Sequence, residues 1–392
     1  MKNVLFVASE AVPFIKTGGL ADVVGSLPAC FDKRYFDVRV MIPKYNCMYQ
    51  KYKDMLEYIT NFYMDYNGRS TYVGIFRCQW NGVTFYFIDN EYYFSGESAY
   101  TSDMKWDLER FIFFSRAALS ALPLIDFHPD IIHCHDWQTG IVPVYLHDSF
   151  HDGDFYRDMK SVITIHNLKF QGTWDVDTIK HMTGLSDYYF TSDKLESYRN
   201  GNLLKGGLVY ADMITTVSET YAKEIQTPFY GEGLDGLISS KNNRLVGIVN
   251  GIDYSEYNPE TDEALPAKYN VDNFRTEKVK NKLALQNELG LREDPDVFTI
   301  GIISRLTAQK GFDLIQYMMD EIVAEDIQLI VLGTGEGQYE QMFKDYAKRF
   351  PEKVSANIYY SEALSHRIYA GCDAFLMPSL FEPCGLSQLM SL

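Results

Sequence analysis

Short, almost uninterrupted apolar runs recur along this chain, and longer amphipathic segments lie between several of them. "NVLFVAS", "DVRVMIP", "DIIHCHD", "SVITIHN" and "MITTVS" read as strands buried on both faces. "LERFIFFSRAALSAL" reads as a helix between two of them. A strand with no polar alternation cannot face water on either side, so helices must cover both faces of its sheet. That rhythm predicts βα units on a parallel sheet. One segment departs from it: in "TYVGIFRCQWNGVTFYFIDN", Asn81-Gly82 between two alternating runs predicts a hairpin. A second series, "VFTIGIIS", "IQLIVLG", "VSANIYY" and "DAFLMPS", follows "RLVGIVNGIDYSEYNP". A charged, irregular stretch from Pro259 to about Asn273 separates the two series, and the boundary is placed near Asn250. The expectation is two doubly wound α/β domains, 1–250 and 251–392, facing each other across a cleft.

Composition excludes several classes of function. The net charge of −17 lacks the basic field needed for nucleic acid or an anionic membrane surface. No apolar stretch reaches the roughly 18 residues of a membrane span. Glu10 interrupts the first apolar run and no small-residue cleavage site follows, so that run is read as a core strand and not a secretion signal. The six cysteines are scattered with no C-x-x-C unit, which fits reduced thiols and the cytoplasm. The 29 tyrosines and 25 phenylalanines are read mostly as core and ordinary surface rather than sugar platforms.

In open parallel sheets ligands bind outside the carboxyl ends of the strands, and the polar exceptions gather there. "KTGGLADVVGSLP" (Lys16–Pro28) follows the first strand with more glycine than a plain turn needs. Glycine lets backbone N–H groups approach a ligand, and a helix N-terminus favours an anion. The stretch is either a phosphate or sugar-phosphate cradle with Lys16 as a mobile charge, or a tight turn with a solvated lysine. "ISRLTAQKGFD" places Arg305 and Lys310 on one strand-exit loop, suited to a diphosphate or to surface ion pairs. Glu382, in "SLFEPCGLSQLMSL", precedes a helix start at Gly385, suited to sugar hydroxyls or to a helix N-terminal box. His133 and His135 share one face of a strand, but no third metal ligand is evident; Asp136 just beyond them suits a polar ligand. His166 ends another apolar strand, as a core residue or a ligand. "LGTGEG" (Gly333, Gly335, Gly337) has the wrong spacing for a dinucleotide turn. No nucleophile elbow, serine–histidine–aspartate arrangement or P-loop is readable.

Seven ordered motifs together resemble bacterial glycogen synthases and plant starch synthases: "KTGGLADVVGSLP", "HCHDWQTG", "IHNLKFQG", "YADMITTVSETYAKEI", "GIVNGID", "ISRLTAQKG" and "FEPCGLSQL". The resemblance runs the length of the chain. It implies the GT-B architecture, two facing Rossmann-like domains, with the acceptor side in 1–250 and the donor nucleotide in 251–392. It implies transfer of glucose from ADP-glucose to the 4-hydroxyl of a glycogen or other α-1,4-glucan end, with retention and with no essential metal or cofactor. Lys16 and the Gly18 backbone would hold the donor near its distal phosphate and glucose. Arg305 and Lys310 would neutralise the diphosphate as ADP leaves. Glu382 and the backbone of Cys384, Gly385 and Leu386 would bind the glucose hydroxyls. Asp136 and His166 would hold the sugar from the first domain, with Asn250 nearby; Tyr360 would stack on the adenine; Asp22 would lie near the acceptor.

Two departures from the family pattern matter. Related transferases carry a second glutamate eight positions after the first, where this chain has Met390. That argues against double displacement through this position and for a same-face internal return. The chain also ends at Leu392, inside the helix expected from Gly385, whereas the family continues with further βα units and a second glycine-rich donor loop. The resemblance therefore implies a fragment with an incomplete second domain. Two other readings stand beside it: a nucleotide-sugar transferase with a small acceptor, and a catalytically silent glucan-binding protein.

Overall fold

The computed structural model describes residues 1–392, which divide into two compact units, Met1–Asn250 and Gly251–Leu392. The first is built on a nine-stranded sheet. Its strands are β1 (Lys2–Val7), β2 (Phe36–Pro43), β3 (Glu57–Tyr66), β4 (Arg69–Trp80), β5 (Val83–Asp89), β6 (Ile131–His135) and β7 (Lys160–Ile165). A small antiparallel sheet follows, of β8 (Thr173–Asp175), β9 (Glu196–Ser197) and β10 (Asn200–Asn202). Then β11 (Met213–Thr216) and β12 (Leu245–Gly247) return to the main sheet. The order is β12-β11-β7-β6-β1-β2-β5-β4-β3.

Every pairing from β12 to β5 is parallel; only β5–β4 and β4–β3 are antiparallel. The antiparallel edge contains two hairpins: β4–β5 is the one expected at Asn81-Gly82, and β3–β4 turns at Asn67-Gly68, also at positive φ. Trp80 pairs with Val83, and both turn residues have positive φ, 47° and 71°, the type I′ geometry that matches strand twist. The first apolar run is β1, at the centre of the sheet, where Leu5, Phe6 and Val7 are sealed from water. The helix Met104–Ala121 is capped by Asp103 and buries Leu108, Phe111, Ile112, Phe113 and Phe114. A helix this apolar must lie between other layers.

The second unit has four parallel strands, β13 (Phe298–Ile303), β14 (Ile327–Leu332), β15 (Val354–Asn357) and β16 (Ala374–Phe375), in the order β15-β14-β13-β16. Successive residues of β14 feed different cores. Leu329 and Val331 pack with Phe312, Met319 and Phe343, while Ile330 and Leu332 pack with Leu285, Leu364 and Ile368. This is a sheet covered on both faces. The irregular stretch 259–273 belongs to this unit: Asn281 bonds both the N–H and the carbonyl of Ala267, and His366 Nδ1 lies 2.6 Å from Asp262 Oδ2. "DAFLMPS" departs from expectation. Only Ala374 and Phe375 form a ladder, and both are half-buried. They pair on one side alone, at the sheet edge, and Pro378 cannot extend the ladder.

In each unit one strand marks the switch in winding direction. β1 lies between β2 and β6, and β13 lies between β14 and β16. The crevice at such a point, beyond the carboxyl ends, is where this fold class binds ligands.

Candidate active site

In the first unit the switch point collects the loops after β1 and β6. Glu10 follows β1 and is only 2% exposed. Its carboxylate accepts the Thr17 N–H at 2.5 Å and the Tyr100 hydroxyl at 3.3 Å, and Tyr100 also meets Ser9 Oγ at 2.7 Å. This anchor presents Lys16-Thr17-Gly18-Gly19 at the start of the helix Gly19–Cys30. Gly18 is extended, with φ −163°, a conformation open to any residue, and a Cβ there would meet nothing within 4 Å. Neither backbone nor packing demands glycine at Gly18, and open space lies beside it. By contrast, a Cβ on Gly25 would lie 2.4 Å from the Val12 carbonyl oxygen, a packing requirement. The expectation of a mobile Lys16 is corrected: its Nζ is 2.8 Å from Asp22 Oδ1, and both side chains are mostly buried. Asp22 sits in the first turn of the helix, where a carboxylate is favoured, so it is well placed to hold the lysine.

Asp136, just after β6, has φ 55° and ψ −165°, a backbone region nearly confined to glycine. Its buried carboxylate accepts the His166 N–H at 2.7 Å and the Asn167 N–H at 3.4 Å. Burial nevertheless raises its pKa to about 7. His166 Nε2 lies 3.0 Å from His135 Nδ1, and His133 Nε2 lies 2.6 Å from Thr164 Oγ1. Burial drives all three histidines to their neutral forms, His133 and His166 to pKa about 3 and His135 well below its ordinary value. No group of three or more histidine, cysteine or acidic side chains is spaced to hold a metal ion. Asn250 follows the edge strand β12, with β11 between that strand and the β7 end that carries His166, and it is not part of the hydrogen-bonded cluster around Asp136.

In the second unit the loops after β13 and β16 interlock. Gly311 has φ 77°, and a Cβ there would lie 2.1 Å from the Pro378 carbonyl oxygen. Leu380 N–H donates to the Gln309 carbonyl at 3.0 Å. This packing brings Lys310 Nζ to 2.6 Å from Glu382 Oε1, which also accepts the Ser379 hydroxyl at 2.6 Å. Lys310 and Arg305, expected to converge on a diphosphate, thus differ. Lys310 is paired with the other candidate site residue, and Arg305 is exposed with no ion-pair partner. Gly385, at φ 81°, caps the helix Leu386–Ser391, whose first N–H groups, like those of any helix, lack partners within it. Cys384 is half-buried beside it. Tyr360 follows β15 and is 65% exposed.

"LGTGEG" forms a brace. A Cβ on Gly333 would lie 1.9 Å from the Ser304 carbonyl oxygen, and one on Gly335 2.2 Å from that of Leu306. Leu306 N–H donates to Thr334, and Glu336 N–H donates back to Leu306. The glycines press the loop after β14 onto the loop that carries Arg305.

Sequence reasoning passed over Glu10, Tyr100 and Ser379. For Glu10 the signal was present, since a carboxylate directly following a core strand must have partners. Burial lifts its pKa from the ordinary 4.5 to about 7, against the hydrogen bonds from Thr17 and Tyr100 that lower it. The native state therefore holds the proton more tightly than the unfolded chain. The stabilisation is complete below pH 4.5 and is lost as pH rises to about 7. The shift corresponds to roughly 3 kcal/mol. Glu10→Gln should flatten that part of the stability curve, measured by urea unfolding at pH 5 and pH 8. An unchanged pH dependence would contradict the assignment.

A profile described as the starch synthase catalytic domain matches residues 3–240, and one described as glycosyl transferases group 1 matches residues 297–392. The chain is 66% identical over 392 residues to a glycogen synthase of Lachnospira eligens, covering 100% of this chain and 82% of the relative. It is 48% identical over 390 residues to the glycogen synthase of Desulforamulus reducens, covering 81% of that protein. Among solved structures, the catalytic domain of starch synthase IV from Arabidopsis thaliana bound to ADP and acarbose superposes with a TM-score of 0.92. That match has 32% identity and covers 100% of this chain and 80% of that one.

Proposed function

This chain belongs to the glycogen synthase and starch synthase family of GT-B glycosyltransferases, and on that premise we propose that it transfers glucose from ADP-glucose to the non-reducing end of an α-1,4-glucan, with retention. The observation that carries this reading is the interlocked pair of loops at the β13 switch point, with Arg305, Lys310 and Glu382 on them. Two cations beside a carboxylate match a ligand that is a diphosphate at one end and a polyol at the other. The solved relative with ADP bound supports the nucleotide. In this reading the second unit holds the donor nucleotide, while the first unit meets the donor's glucose end and the acceptor.

In the transfer, the bond from the anomeric carbon to the phosphate oxygen breaks and its electron pair stays with the phosphate. The glucan 4-hydroxyl oxygen bonds to the same face of that carbon, and its proton passes to the departing phosphate. The sugar has oxocarbenium character at the transition state. Arg305 and Lys310 stabilise the negative charge growing on the diphosphate. Arriving phosphate draws Lys310 from Glu382, which frees the carboxylate to accept glucose hydroxyls. Gly18 leaves room for the donor at the helix start, with Lys16 beside it and Asp22 toward the acceptor. Asp136 and His166 hold the sugar, with Asn250 farther along the same edge. The backbone of Cys384, Gly385 and Leu386 donates to its hydroxyls, and Tyr360 offers its face to the adenine. Met390 provides no carboxylate for a covalent intermediate.

The test is incorporation of labelled glucose into glycogen from ADP-glucose and UDP-glucose at equal concentration. Faster transfer from ADP-glucose, with the product removed by an α-1,4-specific amylase, is expected. Equal rates or no incorporation would refute the reading. Lys16→Ala should lower transfer about ten- to a hundredfold, since a hydrogen bond from a charged donor contributes roughly 1.5–3 kcal/mol. Stability should change little, because Asp22 remains favoured at the helix N-terminus. Steady-state rates beside a melting curve separate the two, and unchanged turnover would remove Lys16 from the site.

A further inference from the structure

We propose that His135 is a positioning residue, which donates its Nδ1–H to His166 Nε2 and thereby fixes His166 as the neutral tautomer with its proton on Nδ1. The proposal rests on placing His166 in the glucosyl-transfer site, but the tautomer itself can be measured without that reading.

The two ring nitrogens lie 3.0 Å apart, so one of them carries the shared proton. His135 is 0% exposed, and its other nitrogen, Nε2, is buried with no hydrogen-bond partner. Around that ring stand Phe6, with centroids 5.2 Å apart, and His133, stacked at 4.4 Å. His133 is itself engaged through Nε2 with Thr164, whose hydroxyl meets that of Thr215 at 2.7 Å. If His166 donated, the proton of neutral His135 would sit on Nε2, a buried N–H with no acceptor. If His135 donates, Nε2 keeps only an unused lone pair. Orphaned buried N–H groups are the rarer and costlier of the two.

Burial keeps both rings neutral, so neither carries a second proton that would blur the choice. With Nε2 accepting, the His166 proton resides on Nδ1. That atom is not among the buried unpartnered atoms and has no hydrogen bond within the protein, so it is left for a ligand. As a donor it matches an oxygen with a free lone pair, such as a sugar hydroxyl. His166 is pinned at its backbone as well, through the N–H to Asp136. Asp136 and His135 are adjacent at the end of β6, so the same strand end sets both the position and the proton of His166.

The experiment labels the whole chain with 15N-histidine and reads tautomers from long-range 1H–15N correlations at pH 7.5, with His166 assigned by the signal lost in His166→Gln. His166 is expected with a protonated Nδ1 and a bare Nε2. The opposite tautomer, or averaging between the two, would overturn the proposal in the unmodified protein, whatever the variants do. His135→Asn places an amide donor near the position of Nδ1, and His135→Leu removes the donor. The asparagine variant should keep the tautomer and stay within threefold in kcat, while the leucine variant should average the tautomers and lose about tenfold or more in kcat. Equal loss in both would show that His135 acts only as core packing. A correct tautomer in a protein that does not transfer glucose would refute the proposed function and leave the pairing intact.

Discussion

Alanine at Arg305 should lower kcat for glucosyl transfer by about 10²–10³-fold and leave the stability of the protein within about 0.5 kcal/mol of the original. Both halves follow from where the side chain stands. Arg305 is exposed on the loop after β13 and forms no ion pair, so truncation breaks no interaction in the folded protein. Its backbone remains fixed because the neighbouring residue, Leu306, is clamped by Thr334 and Glu336. In the proposed mechanism, what is lost is a positive charge at the place where phosphate charge develops. Lys310 is a less clean target, since removing it leaves the half-buried Glu382 carboxylate without its cation, and losing one partner of such a pair destabilises proteins on its own. The measurement is single-turnover transfer at saturating donor together with a urea titration. Full turnover in Arg305→Ala would take the diphosphate away from this loop.

Much of the fold was legible because parallel strands cannot hide their pattern. β1, β2, β6, β7, β13 and β14 each appear as apolar runs, and Asn81-Gly82 marks one of the two hairpins that break the parallel order; the other, at Asn67-Gly68, went unread. The two-residue β16 was read too long, because its apolar composition continues through Leu376 and Met377 after its pairing has ended. Composition records burial preference, and pairing depends on a neighbour that the local sequence does not name. The candidate residues stood out one by one in the sequence, but their pairings did not. Lys16, Asp22, Lys310 and Glu382 were all singled out, yet nothing local says that Lys16 meets Asp22 or that Lys310 meets Glu382 across 72 residues. The Lys310–Glu382 contact is fixed by strand order and by close backbone packing at Gly311, which only the assembled fold supplies. The histidine pairing was hidden in the same way: His135 and His166 come together only because β6 and β7 are adjacent.

The brace formed by "LGTGEG" yields the second large effect, this time on folding. Gly333→Ala should cost about 3–5 kcal/mol, whereas Gly337→Ala, four residues away, should be neutral or stabilise by less than about 1 kcal/mol. Gly333 has φ 151°, and its Cβ would fall 1.9 Å from the Ser304 carbonyl oxygen. Neither backbone can retreat. Gly333 N–H donates to Asn357, and Ser304 N–H donates to Leu332, so both strand ends are tied into the sheet that holds Val331 and Leu332 in the two cores. Gly337 opens the helix Gly337–Arg349 and would meet nothing within 4 Å, so alanine there only gains helix propensity. The chain itself offers a way to see where the damage falls. All four tryptophans, Trp80, Trp106, Trp137 and Trp174, lie in the first unit, so their fluorescence follows that unit while circular dichroism follows both. In Gly333→Ala the dichroism transition should move to lower urea while the tryptophan transition stays in place. Coincident, unshifted transitions would mean that the loop has room for a side chain, and the glycines would then have to be explained by a ligand approaching them rather than by the Arg305 loop beneath.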